Sequence, residues 1–234
     1  MVRRAVIYLG AFLVAGYSAQ TLAADFKLTD RNGDGAVEIL AFGDSITYGV
    51  GDGSAPGDYV EQIYDAGAPR GYPLRLSSLI GVAVDNAGLP GEELIRTGID
   101  RFPGLVIGAS ADAVIIMEGV NDAGQQVTAS VYSNTLQRAI NVARAENKDV
   151  VLATIAPPTE FHSSLAPFTN AYSVAVRRLA AINSLPLADI EQTFYQACPD
   201  LSICSYYNLP EGLHPNTLGY DAIAEAMALA VSGN

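Results

Sequence analysis

Short apolar runs recur along this chain, separated by segments with helical periodicity. Val37–Phe42, Ala113–Met117 and Val150–Ile155 are apolar almost without interruption. They lack the alternation of a strand with one wet face, so they read as strands buried on both sides. Gly81–Asn86 and Leu185–Ile190 are two further strand candidates. Between them lie helical patterns: Tyr72–Ile80 opened by Pro73, Ala129–Glu146 with Val131, Leu136, Ile140 and Val142 apolar, Pro167–Ser184, and Thr217–Val231. Strands alternating with helices predict a parallel α/β sheet covered on both faces. Such sheets carry their sites at the carboxyl ends of the strands. Gly49–Gly71, rich in Gly, Asp and Pro, reads as a long loop on the rim of that site. There is no internal repeat and no linker, so the core is one domain.

Residues 1–24 are set apart from the fold. Arg3 and Arg4 precede an apolar stretch, Ala5–Gly16, that is too short to span a bilayer, and small residues follow at Thr21, Ala23 and Ala24. This predicts a signal peptide cleaved after Ala23 or Ala24 and a mature domain over 25–234, exported to a periplasm or beyond the cell. Losing Arg3 and Arg4 takes the net charge from −12 to −14. So acidic a chain is a poor ligand for nucleic acid. No later stretch is long and apolar enough to cross a membrane. Half of the residues are hydrophobic and 16% are charged, which excludes a disordered chain. Export makes Cys198 and Cys204, which enclose only Pro199–Ile203, a disulfide pair that stiffens the segment before His214.

The chemistry gathers where the strands end. The first leads into Gly43-Asp44-Ser45, where a serine hydroxyl is presented at the top of the sheet. A serine needs a base to act as nucleophile. The chain has two histidines, and His214, in Glu211-Gly212-Leu213-His214-Pro215, is preferred over His162. Glu211 is close enough in sequence to orient the His214 ring. The third strand ends in Gly119-Val120-Asn121-Asp122, where the Asn121 amide is a candidate donor, and the second runs into Asn86–Gly91, where a glycine offers a backbone N–H. These donors and the Ser45 N–H would form an oxyanion hole. Asp30, Asn32 and Asp34, with Gly35, copy the first half of a calcium loop, but the position of its closing glutamate is Ala41. They read as a polar turn before the first strand, so no metal or other cofactor is expected.

These blocks, in this order from Ala36 to the C-terminus, resemble the SGNH/GDSL hydrolase family. The resemblance implies a flavodoxin-like, three-layer α/β/α fold with a five-stranded parallel sheet, and ester hydrolysis through an acyl-serine. It implies Ser45 as nucleophile and oxyanion donor. Gly91 (with Gly88 as the alternative) and Asn121 are the other two donors, and His214 is the general base. Glu211 stands where the family usually has Asp, so its carboxylate must fold back to reach the ring, or a backbone carbonyl orients His214 instead. The implied substrate is a small-molecule, lipid or carbohydrate ester. A carbohydrate O-deacetylase, an inactive binding module of the same fold, and a cell-envelope protein organised by calcium at Asp30–Glu38 are the other readings. Tyr48, Val50, Leu89, Phe161 and Phe168 are candidate pocket walls.

Overall fold

The computed structural model describes residues 27–53 and 71–233. Residues 1–24, predicted as a signal peptide, and the greater part of the Gly49–Gly71 loop lie outside the described residues. Five strands form one parallel sheet: β1 (Glu38–Gly43), β2 (Ala83–Gly88), β3 (Ala113–Met117), β4 (Asp149–Ala153) and β5 (Leu187–Ala188). Their order is β2-β1-β3-β4-β5, the flavodoxin-like arrangement. Gly43 is in register with Gly88 on one side and Met117 on the other, which brings three strand ends together.

Eight α-helices are described: α1 (Ser45–Tyr48), α2 (Tyr72–Ile80), α3 (Ile99–Val106), α4 (Val120–Gly124), α5 (Ala129–Ala145), α6 (Ala166–Asn183), α7 (Ile190–Ala197) and α8 (Thr217–Ser232). Side chains alternate across a strand, so each central strand feeds two cores. Leu40, Phe42, Val114, Ile116, Val150 and Leu152 face α3, α5 and α6. Ile39, Ala41, Ile115, Met117, Val151 and Ala153 face α2, α7 and α8. On the first side Phe42 and Phe102 meet edge to face at 4.9 Å, while Tyr132 and Tyr172 stack at 4.2 Å. The result is the three-layer α/β/α sandwich that the family resemblance implied.

β1 and β4 differ from expectation by one or two residues at their ends, and β2 and β5 differ more. β2 is displaced towards the carboxyl end of Gly81–Asn86, because Gly81 caps α2 in a left-handed conformation. It is also an exposed edge strand, not a buried one. β5 pairs over two residues only, because Asp189 turns the chain and caps α7 by accepting from the Gln192 N–H. The π-helical turn Leu94–Gly98 and the helices α1, α3, α4 and α7 lie outside the expected helical segments.

Cys198 and Cys204 form a disulfide with their Cα atoms 5.3 Å apart. The calcium candidates hold their own turn closed. Asp30 accepts from the Gly33 and Gly35 N–H, Asn32 Oδ1 from Asp34 N–H, and Asp34 from Ala36 N–H. The Asp112 carboxylate accepts from the N–H of Arg31, Asn32 and Glu38, which ties this turn to the start of β1. Among the described residues no group of three or more His, Cys, Asp or Glu is placed to hold a metal ion, and no helix is long and apolar enough to cross a membrane.

Candidate active site

The turn after β1 is built around Asp44. Its carboxylate accepts from the Ile46 N–H at 2.9 Å and caps α1, so Ser45 becomes the first residue of that helix. Gly88 fits against this turn so closely that a Cβ there would lie 2.1 Å from the Tyr48 nitrogen. The Asn86 amide donates to the Thr47 and Tyr48 carbonyls, pinning the turn to β2. The same Asn86 accepts from the Gly88 N–H at 2.9 Å. Gly88 is therefore a packing glycine with its donor already used.

Gly91 is different. It adopts φ +79°, and a Cβ on it would meet no atom within 4 Å, so its backbone borders open space. The Asn121 side chain donates to the carbonyl of Glu92, the residue after Gly91, at 2.8 Å, and this is its amide's hydrogen bond among the described residues. Asp122 holds the following turn by accepting from the Leu94 and Ile95 N–H.

Opposite Ser45, the segment 208–216 brings in the imidazole. His214 Nε2 lies 3.0 Å from Ser45 Oγ, and His214 Nδ1 lies 2.8 Å from Glu211 Oε1. The other carboxylate oxygen, Oε2, accepts from the Leu213 and His214 N–H at 2.9 and 2.8 Å. The carboxylate thus folds back on its own turn and reaches the ring. The side chain of Glu211, not a backbone carbonyl, contacts His214 Nδ1. Burial pushes the Glu211 carboxyl up, but these hydrogen bonds and the nearby imidazole outweigh it and hold it below its ordinary value. An ionised Glu211 can only accept, so Nδ1 carries the proton and Nε2 presents its lone pair to the serine hydroxyl. Asn208 steadies the segment by donating to the carbonyls of Gly51, His214 and Pro215.

Beneath this surface lie carboxyls that sequence reasoning had not singled out. Glu118 is buried, with one oxygen accepting from the Gly119 N–H and the other without a partner among the described residues. Burial, then the neighbouring Asp44, Glu92 and Asp122, push it well above the carboxylate range. Burial likewise raises Asp44 to about 7. Glu92 is paired with Arg101, which also donates to the Ala87 carbonyl and lies over the Phe42 ring. An acidic residue just after a strand is a weak sequence signal, and nothing in the spacing marks Glu118 as interior.

His162 is also here, against the main chain of Glu211. Of the candidate wall residues, Tyr48, Leu89 and Phe161 are exposed, whereas Val50 is buried and Phe168 packs on the core.

Serine, histidine and glutamate stand in hydrogen-bonded series, an arrangement able to activate a serine hydroxyl as a nucleophile, and Asn121 and Gly91 sit on the turns that follow the neighbouring strands. The same fold occurs in several solved structures. One is a lipolytic protein of the G-D-S-L family from Veillonella parvula, 22% identical with a TM-score of 0.65, covering 82% of this chain and 96% of that one. Another is the lipase/acylhydrolase from Enterococcus faecalis, also 22% identical with a TM-score of 0.65, covering 84% and 96%. A third is an acetylxylan esterase from Geobacillus stearothermophilus, in a catalytic-mutant form, 21% identical with a TM-score of 0.66, covering 83% and 94%. No curated protein sequence matches the chain. The sequence profile of one family runs from within β1, through every block described above, into α8 at residues 41–222, and by that match the chain belongs to the GDSL-like Lipase/Acylhydrolase family.

Proposed function

We propose that this protein is an exported serine esterase that cleaves carboxylic esters through an acyl-serine. Membership of the family supports ester hydrolysis as the reaction. The observation that carries the mechanism is the unbroken series Glu211–His214–Ser45, with separations of 2.8 and 3.0 Å. His214 Nε2 takes the Ser45 proton as Oγ attacks the ester carbonyl. Negative charge moves to the carbonyl oxygen, which the Ser45 N–H, the Gly91 N–H and the Asn121 amide stabilise. His214 then protonates the departing alcohol. In the second half it takes a proton from water, the hydroxide attacks the acyl-serine, and the acid leaves as Ser45 recovers its proton. Ionised Glu211 keeps Nδ1 protonated and stabilises the imidazolium that forms twice per cycle. Removing one oxyanion donor is worth about 10²–10³ in kcat. None of these steps calls on a cofactor.

Export is part of this reading. It is supported by the apolar Ala5–Gly16 behind Arg3 and Arg4, and by the Cys198–Cys204 disulfide. The test is an assay of the chain from Asp25 on nitrophenyl esters from acetate to laurate, beside Ser45→Ala. Acetylated xylan is included because one protein of this fold is described as an acetylxylan esterase. Hydrolysis that disappears in Ser45→Ala is the expected result. Activity surviving in that variant refutes the assignment, and silence on every ester points to a deacetylase with strict sugar recognition or to the inactive binding module.

A further inference from the structure

The loop after β4 is joined to the turn that carries Glu211 along three consecutive carbonyls. Phe161 N–H donates to the Pro210 carbonyl at 3.4 Å, His162 Nδ1 to the Glu211 carbonyl at 2.8 Å, and Thr159 N–H to the Gly212 carbonyl at 2.8 Å. The two loops also touch sterically. Gly212 has φ +74°, and a Cβ there would stand 2.5 Å from the Thr159 carbonyl oxygen. Tyr207 donates its hydroxyl to the Pro157 carbonyl, closing the far end of the same seam.

Two of the three central donors are backbone N–H groups that any residue but proline could supply. The third is a side chain. A carbonyl oxygen only accepts, so His162 must carry its proton on Nδ1. That nitrogen also lies 3.6 Å from Glu211 Oε1, on the carboxylate oxygen that faces the His214 ring. The imidazole is about one-third exposed, so it is not held in place by full burial.

We propose that His162 is a positioning residue for the ester hydrolysis assigned above, acting through Glu211. Its Nδ1–H fixes the Glu211 peptide unit, and so the direction from which Oε1 approaches His214 Nδ1. The proposal rests on the catalytic reading of Glu211 and His214, while its geometric part can be read without turnover. Losing a single neutral hydrogen bond that serves this alignment lowers kcat about five- to tenfold. KM stays within about twofold, because neither Glu211 nor His162 needs to touch substrate for this role.

The experiment compares His162→Phe, His162→Ala and His162→Asn with the wild type on nitrophenyl butyrate, with Ser45→Ala alongside. In parallel, the downfield proton resonance of His214 Nδ1–H is followed by NMR in each protein. Asn carries an N–H donor at nearly the position of Nδ1, so it separates the donor from the ring. The expected result is lower kcat at constant KM, and a shifted or broadened resonance, in Phe and Ala, with both restored in Asn. The proposal is overturned if Phe and Ala keep wild-type kcat and resonance, or if Asn behaves like Ala. If Ser45→Ala keeps esterase activity, the catalytic reading fails, yet the resonance still decides whether His162 positions Glu211.

Discussion

Glu211→Gln is the sharpest test of the site's proton arrangement. In the native protein one carboxylate serves three N–H donors: His214 Nδ1 through Oε1, and the backbone of Leu213 and His214 through Oε2. A glutamine has one acceptor and one donor group. The two backbone donors, at 2.9 and 2.8 Å, will claim the amide oxygen, because neither can find another partner without unfolding the turn. The amide nitrogen then faces Nδ1, which must become an acceptor. The ring proton moves to Nε2, the nitrogen 3.0 Å from Ser45 Oγ, and the lone pair that should take the serine proton is gone. A wrong tautomer of this kind lowers kcat by about 10⁴, which is about 5.5 kcal/mol of barrier. KM should change little. Glu211→Asp keeps the charge but loses the methylene that lets the carboxylate reach back to the ring. Misplacement of about 1 Å costs up to about 10², so Asp should fall between wild type and Gln. The assay is kcat and KM on a nitrophenyl ester from about pH 5 to about pH 9, where the imidazole must be neutral to act, with a melting curve to show that each variant folds. A Gln variant within tenfold of wild type at every pH would refute the argument, because the carboxylate would then not be setting the tautomer.

Other consequences concern stability. Asp44 is raised from 3.8 to about 7 in the folded protein, so folding takes up a proton between those values and stability falls as pH rises through that window. Melting should therefore be lower at pH 8 than at pH 5.5 by calorimetry, and Glu118→Gln, which removes another buried acid raised by burial and Asp44, should narrow the gap. Gly43→Ala would place a Cβ 2.0 Å from Thr47 Oγ1 and 2.4 Å from the Met117 carbonyl oxygen, so urea unfolding should show a loss of about 1–3 kcal/mol. Reducing Cys198–Cys204, or replacing both cysteines by serine, opens a seven-residue loop and should cost about 2 kcal/mol. An unchanged urea midpoint after reduction would show that the loop does not constrain the unfolded chain.

The central strands were legible because burial on both faces leaves a continuous apolar run, as in Ala113–Met117, whose observed bounds match the expectation. The edges were less so. β2 contains Asp85 and Asn86, tolerated because an edge strand is wet, and it begins only after Gly81 has finished capping α2. Leu185–Ile190 looks like a strand, yet Asp189 acts at short range as a helix cap and ends the pairing at Ala188. α3 carries Pro103 within it and starts from a π-helical turn, so its periodicity is hidden. Ser45, Asn121, Glu211 and His214 are candidates from their places at strand ends and before the last helix, and the roles proposed for them come from the resemblance of the blocks taken in order. The contacts that refine the site could not. Asn86 occupying the Gly88 donor, the interior burial of Glu118, and the seam between residues 157–162 and 207–212 all depend on which strand ends lie side by side.

That adjacency follows from the strand order. After β1 the chain crosses to β2 on one side of it, then returns past β1 to β3, β4 and β5 on the other. The connections leave β1 and β3 in opposite directions, which opens a crevice above their carboxyl ends. Ser45 enters this crevice from β1, Asn121 from β3 and Gly91 from the segment after β2. The loop after β4 stands at its far wall, where it holds the turn bearing Glu211 and His214. Glu211 is held at both ends. Its carboxylate is anchored by the Leu213 and His214 N–H, and its carbonyl by His162. An extra methylene adds torsional freedom that a solvated glutamate would lose its aim to, but three hydrogen bonds besides the one to His214 remove that freedom here.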